Sequence, residues 1–135
     1  MGIWRRVKLL CKTRWTRHHR LFAFRPIQLS VSPSAKIDIQ HGLFVNKPWN
    51  EYHKNHLGVF QVDDNAVVEC DDFTIHYKCH VGVHKNAVLK LSTGYMNTGC
   101  RLDCANSISI GEHTVIAHEV IIRDSDAHTI RGSEK

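Results

Sequence analysis

No stretch of this chain carries the roughly 18 to 20 consecutive apolar residues needed to span a bilayer. Its first residues show neither the apolar core nor the small-residue cleavage site of a secretory signal, so the expected location is the cytoplasm. No CxxC pair occurs. The five cysteines, Cys11, Cys70, Cys79, Cys100 and Cys104, are odd in number and scattered, which argues against a disulfide framework or a zinc ribbon. They read as reduced, small, partly buried side chains. Acidic residues are absent before Asp38, whereas eight of the eighteen basic ones already lie within residues 1–25. From residue 26 onward ten basic side chains face thirteen acidic ones, so the net charge of +5 belongs to the N-terminus and the body is mildly acidic. With 135 residues and 42% hydrophobic content, the chain has the size of one modest domain with a core and has no room for a second enzyme domain.

Residues 3–20 place Ile3, Trp4, Val7, Leu10, Cys11 and Trp15 at helical spacing, with arginine and lysine on the other face. A basic amphipathic α-helix is expected here, with residues 1–27 forming the helix and its linker and 28–135 the main domain. Residues 1–25 suit a peripheral contact with an anionic membrane surface, Trp4 and Trp15 sitting at headgroup level. A helix packed on the rest of the protein or on a neighbouring subunit fits the same pattern. Nucleic acid is not the expected partner, because no recognition module accompanies the charge.

After Pro26 short β-type segments recur. Ala35-Lys36-Ile37-Asp38-Ile39, Ala66-Val67-Val68-Glu69-Cys70 and Ala87-Val88-Leu89-Lys90-Leu91 share one template, and Asn65 and Asn86 precede the second and third copies. The second and third lie 21 residues apart, and Ile108 and Ile110 follow Leu89 and Leu91 by 19. Three six-residue faces take 18 residues, so these intervals match one coil with small corner insertions. Ile110, Ile116 and Ile122 are six apart, as are Ile108, Thr114 and Val120, and Met96 and Leu102 continue the series upstream. Two alternate inward residues per face followed by a sharp corner describe a triangular prism of short strands, whereas an amphipathic helix would repeat at 3.6. Asn97, Asp103 and Gly111 follow inward residues and are expected to take left-handed backbone at corners. Residues 44–56, FVNKPWNEYHKNH, break the register around Pro48 and are expected to form a loop thrown out from the prism, with or without a role.

Leu91 to Cys100 (LSTGYMNTGC) and Ile108 to Ile130 (ISIGEHTVIAHEVIIRDSDAHTI) resemble the hexapeptide-repeat acyltransferase family, in the branch that acetylates sugars during surface-polysaccharide assembly. The resemblance runs from about Ala66 to Ile130 and more weakly back to Ser34. It implies a left-handed parallel β-helix, a homotrimer with sites between neighbouring prisms, acetyl-CoA as donor, and a sugar or lipid-linked saccharide as acceptor. No metal is implied. His128 matches the family's general base, which suits the chemistry, since imidazole can take the proton of an attacking hydroxyl at neutral pH. Asn97 matches a position that faces acceptor, and His118 is a candidate for lining the cleft.

Spacing alone also marks residues 124–128 as a departure from the regular path. Eighteen residues beyond Ile108 and Ile110 stand Asp126 and His128, which strict continuation would bury at high cost. The chain is therefore expected to leave its regular path and present Asp124, Asp126 and His128 together at a corner, where either aspartate would orient the imidazole. A polar turn with two solvated aspartates is the plainer alternative. His76, His80 and His84, four apart, would be scattered on such coils. The γ-class carbonic anhydrases, which share this fold, are set aside because Arg123 stands where their third zinc ligand would be. Family members continue with further coils beyond the catalytic segment, so this chain is expected to be cut short and to turn over slowly by itself. The competing readings are a catalytically inactive β-helix serving as scaffold or binding module, and a peripheral membrane protein whose N-terminal helix is the main functional element.

Overall fold

The computed structural model describes residues 7–9, 20–50 and 55–125. These residues form twelve strands: β1 (Val7–Leu9), β2 (Leu21–Ala23), β3 (Ile27–Val31), β4 (Lys36–Lys47), β5 (Gly58–Val62), β6 (Val67–His76), β7 (His80–Val83), β8 (Val88–Met96), β9 (Arg101–Cys104), β10 (Ser107–Ile110), β11 (Thr114–Ile116) and β12 (Ile121–Arg123). Apart from β1, which pairs antiparallel with β3, all pairings are parallel. A mainly β fold of parallel strands stacked coil on coil is consistent with a β-helix. No helix lies among the described residues, and none is long and apolar enough to cross a membrane.

The pairings define three walls. Wall A is β3, β5, β7, β9 and β12 in spatial order. The long strands β4, β6 and β8 turn a corner midway: β4 and β6 change register between Ile39 and Gly42. Their first halves, with β10, make wall B, and their second halves, with β2 and β11, make wall C. On wall B, Val68 pairs with Leu89 and Leu89 with Ile108, the 21- and 19-residue intervals of the repeat.

Strand alternation sends every second side chain inward. Val68, Leu89 and Ile110 from wall B, Leu43, Phe73 and Met96 from wall C, and Phe60, Val81 and Leu102 from wall A are all buried. Each such side chain contributes about 1.5–3 kcal/mol by leaving water. Ala66 and Ala87 are fully buried where the chain turns from wall A to wall B, each donating its N–H back to the carbonyl three residues earlier, Asp63 and His84. That turn needs a small inward residue, which is why alanine opens the template.

Positive φ falls on Asn65 and Asn86, just before those alanines, and on Lys78, Gly99, His113 and Glu119 at other corners. The left-handed corners expected at Asn97, Asp103 and Gly111 are thus displaced: the last residue of the tight turn reverses the chain, not the residue that follows an inward side chain. Asparagine tolerates this conformation better than most residues. Two further boundaries differ from expectation. Phe44 to Lys47 belong to β4, paired with β2 and β6, so the excursion begins at Pro48. The expected helix over 3–20 lies almost wholly outside the described residues; of its described residues, Val7–Leu9 is strand paired on β3 and Arg20 lies in a turn. Leu21 and Ala23 are already buried in wall C, so coiling reaches upstream of residue 28.

Candidate functional site

Wall C carries an outward column of Phe22, Phe44, Thr74, Tyr95 and Val115, neighbours in register from strand to strand. Beside it stands His76, paired with Lys47. Outward residues of a solenoid wall ordinarily meet water, yet His76 is only 5% exposed. The excursion covers it. Trp49 folds back so that its indole lies on the imidazole, ring centroids 4.0 Å apart and planes 11° from parallel. Tyr95 meets both rings edge-on, at 5.9 Å from Trp49 and 5.5 Å from His76. Trp49 Nε1 donates to Asn97 Oδ1 at 3.1 Å.

The base of the excursion is tied by Asn46. Its Nδ2 lies 2.9 Å from the Phe24 carbonyl oxygen, 2.7 Å from that of Pro26 and 3.1 Å from that of His56, while Oδ1 accepts the Lys78 N–H at 2.9 Å. One buried amide thus joins both ends of the excursion to the coils on either side. Gly58 is required opposite it, since a Cβ there would fall 2.4 Å from Asn46 Oδ1.

Hydrogen bonds assign the polar groups of the cluster. Asn97 Oδ1 also accepts the Thr98 N–H at 2.7 Å. Two donors on one atom identify it as oxygen, and Nδ2 meets no acceptor among the described residues. His76 Nδ1 lies 3.2 Å from the Lys47 carbonyl oxygen. A carbonyl only accepts, so Nδ1 carries the proton and Nε2 keeps a lone pair, which meets no donor among the described residues. Burial lowers the His76 pKa from its ordinary 6.5; the hydrogen bond to Lys47 opposes this and the Lys47 charge adds to it. The imidazole is therefore neutral at pH 7.

The other expected site residues fall in three places. Asp126 and His128 lie outside the described residues. Asp124 ends wall A, and its carboxylate accepts backbone N–H bonds from Ala105 at 2.6 Å, Asn106 at 2.8 Å and Ser107 at 2.7 Å. Partial desolvation pushes its pKa up, but these bonds outweigh it and hold the carboxyl below its usual range. Asp124 therefore clamps the preceding coil's corner, with its oxygens engaged there. His118 is exposed at the wall C to wall A corner. Its turn stacks on that of Asn97, because Asn97 N donates to Ile116 O and Glu119 N to Thr98 O, both at 2.9 Å. The structure thus brings Asn97 and His118 to one edge of wall A and leaves Asp124 at the other.

Sequence reasoning missed Trp49, Tyr95 and His76, treating the last as scattered. The available signal was the tryptophan that follows Pro48 in the segment that breaks the repeat.

Other chemistry is limited. On the outer face of wall A, His84 lies between Asp63 and Asp103, at 3.7 and 3.9 Å. No group of three or more metal-ligating side chains occurs among the described residues. Cys70, Cys79, Cys100 and Cys104 are free and buried. Burial pushes the Cys70 and Cys79 thiols up to about 12, which makes them poor nucleophiles at neutral pH. A groove of about 530 Å³ runs over wall B between Asp38, Glu69, Asp71, Lys90 and Ser109. It faces away from the aromatic cluster, and its solvated charges single out no ligand. Comparison with family models, with curated proteins and with solved structures gives no match.

Proposed function

We propose that this chain is an acyltransferase that moves an acetyl group from acetyl-CoA to a hydroxyl of a sugar or lipid-linked saccharide, on a left-handed β-helix. His128 is the general base. It removes the hydroxyl proton as the oxygen attacks the thioester carbonyl; the C–S bond then breaks and the leaving sulfur takes the proton from the imidazolium. General-base assistance of this kind is worth roughly 10²–10⁴ in rate.

The observation that carries the reading is the pair of anchored corners on either edge of wall A. At one edge Asn97 is oriented by Trp49 and Thr98, which both donate to its amide oxygen. At the other, Asp124 holds the chain two residues before Asp126 and four before His128. In this reading the acceptor at one protomer's Asn97 meets the base of a neighbour, so a homotrimer is the working form. A cytoplasmic location, with residues 1–25 against the inner membrane face, suits a lipid-linked acceptor and belongs to the same proposal.

Thiol release from acetyl-CoA in the presence of a neutral pyranoside tests it. His128→Ala lowers the rate by about 10²–10⁴. Mixing His128→Ala with Asn97→Ala protein recovers part of it, because each supplies what the other lacks. Equal rates in the wild type and His128→Ala contradict the mechanism. A second reading, a noncatalytic binding module, is favoured by one observation: Trp49, His76, Tyr95 and Asn97 already form an ordered aromatic and polar cluster among the described residues. It predicts saccharide binding without thiol release.

A further inference from the structure

Resting on the acceptor reading above, we infer that Trp49 is the specificity-determining residue for the acceptor ring: the open face of its indole takes the apolar face of a pyranose. Asn97 Nδ2 donates to a hydroxyl of the same ring.

Three observations support this assignment. First, among the described residues the indole is held from one side only. His76 covers one face at 4.0 Å, Tyr95 meets its edge and Asn97 takes its N–H, yet the residue remains 49% exposed. A large aromatic fixed by three partners and open on one face is a platform, and holding it in place beforehand removes the ordering cost that a mobile side chain would bring to binding. Second, the platform is anchored through Asn46, whose four hydrogen bonds set the base of the excursion that carries it. Third, the polar groups beside the indole are neutral. Asn97 offers a donor, and His76, stacked against the covered face of the indole, brings no charge to the open one. A neutral ring with an apolar C–H face and hydroxyls at its rim matches that set. An anion would find no positive charge among these four side chains, since His76 is neutral and Lys47 Nζ lies over Phe44 at 5.3 Å.

The test uses the full chain and a panel of neutral methyl pyranosides, with saturation-transfer NMR for binding and acetyl transfer for turnover. Wild-type protein transfers saturation to the ring protons of one sugar face. Trp49→Ala loses this, and Trp49→Phe retains part of it. In turnover, Trp49→Ala raises the acceptor KM about tenfold, the range expected for one aromatic stack, with kcat unchanged. Thermal unfolding of each variant verifies that the solenoid is intact. The inference is overturned if no pyranoside binds the wild type, or if Trp49→Ala binds as well as the wild type. Transfer that depends on His128 with a KM indifferent to Trp49 also removes it while leaving acyl transfer standing. Trp49-dependent binding without any transfer upholds the inference and removes acyl transfer.

Discussion

The indole of Trp49 lies against the imidazole of His76, 4.0 Å away and nearly parallel, and so turns an outward position of wall C into a buried one. This contact fixes the excursion to the wall and brings an aromatic ring beside Asn97. It also gives the protein a pH dependence.

The folded-state pKa of His76 is lowered, chiefly by burial. The unfolded chain therefore binds the proton more readily, and stability that is complete above the ordinary value of 6.5 is lost as pH falls below it. The melting temperature of wild-type protein is expected to drop between about pH 7 and pH 5, the range in which histidine titrates. His76→Asn flattens that drop. An identical pH slope in the variant contradicts the assignment.

Asn46 combines positive φ with four hydrogen bonds. Asn46→Gly keeps the backbone conformation and removes the amide, and is expected to cost about 1–3 kcal/mol for the buried groups left unpaired. Asn46→Ala adds the strain of a left-handed alanine, roughly 1 kcal/mol more. Denaturant unfolding of the two variants separates these contributions. The loop's hold on Trp49 should weaken equally in both, read as a loss of one-sided saturation transfer to bound pyranoside.

Much of the solenoid is legible in the repeat itself. Val68, Leu89 and Ile108 stand at the intervals that their pairing requires, because inward alternation leaves a direct trace in side-chain type. The corners are less legible. A left-handed residue can be Asn, Gly, Lys, His or Glu, as at Asn65, Gly99, Lys78, His113 and Glu119, so residue type alone does not place it. The Trp49 and His76 contact leaves no period at all. It arises because an irregular segment folds back across coils, and only the register of β4 and β6 shows that His76 is available to receive it. Asn97 is singled out by its neighbours in the chain alone, which give no sign of the tryptophan that orients it.

Gly94 lies on wall C where the neighbouring strand leaves no room for a side chain. A Cβ there would sit 1.9 Å from the Thr114 carbonyl oxygen, and φ is +134°. Gly94→Ala must displace β11 from β8, and a destabilisation above about 3 kcal/mol is expected, beyond the range of ordinary substitutions. Hydrogen exchange should show lost protection at Thr114 to Ile116 before the rest of the solenoid.

Asp124 has a lowered pKa because three backbone N–H groups bind its carboxylate. Its contribution is complete above the ordinary carboxyl value of 3.8 and is lost as pH falls below it. Asp124→Ala is expected to destabilise the protein by about 1–3 kcal/mol at pH 7 and to remove part of the acid sensitivity below about pH 4. Acid titration of unfolding in the two proteins measures this. Because Asp124 acts on the corner that precedes His128, Asp124→Ala should also slow acetyl transfer, with more loss than its stability change explains.

Mass spectrometry of a methyl pyranoside incubated with acetyl-CoA and the full protein tests acyl transfer most directly. The predicted result is slow accumulation of a single ester-linked acetyl group on the sugar with wild-type protein and none above background with His128→Ala. Unmodified sugar with the wild type, or equal acetylation by both proteins, would contradict it.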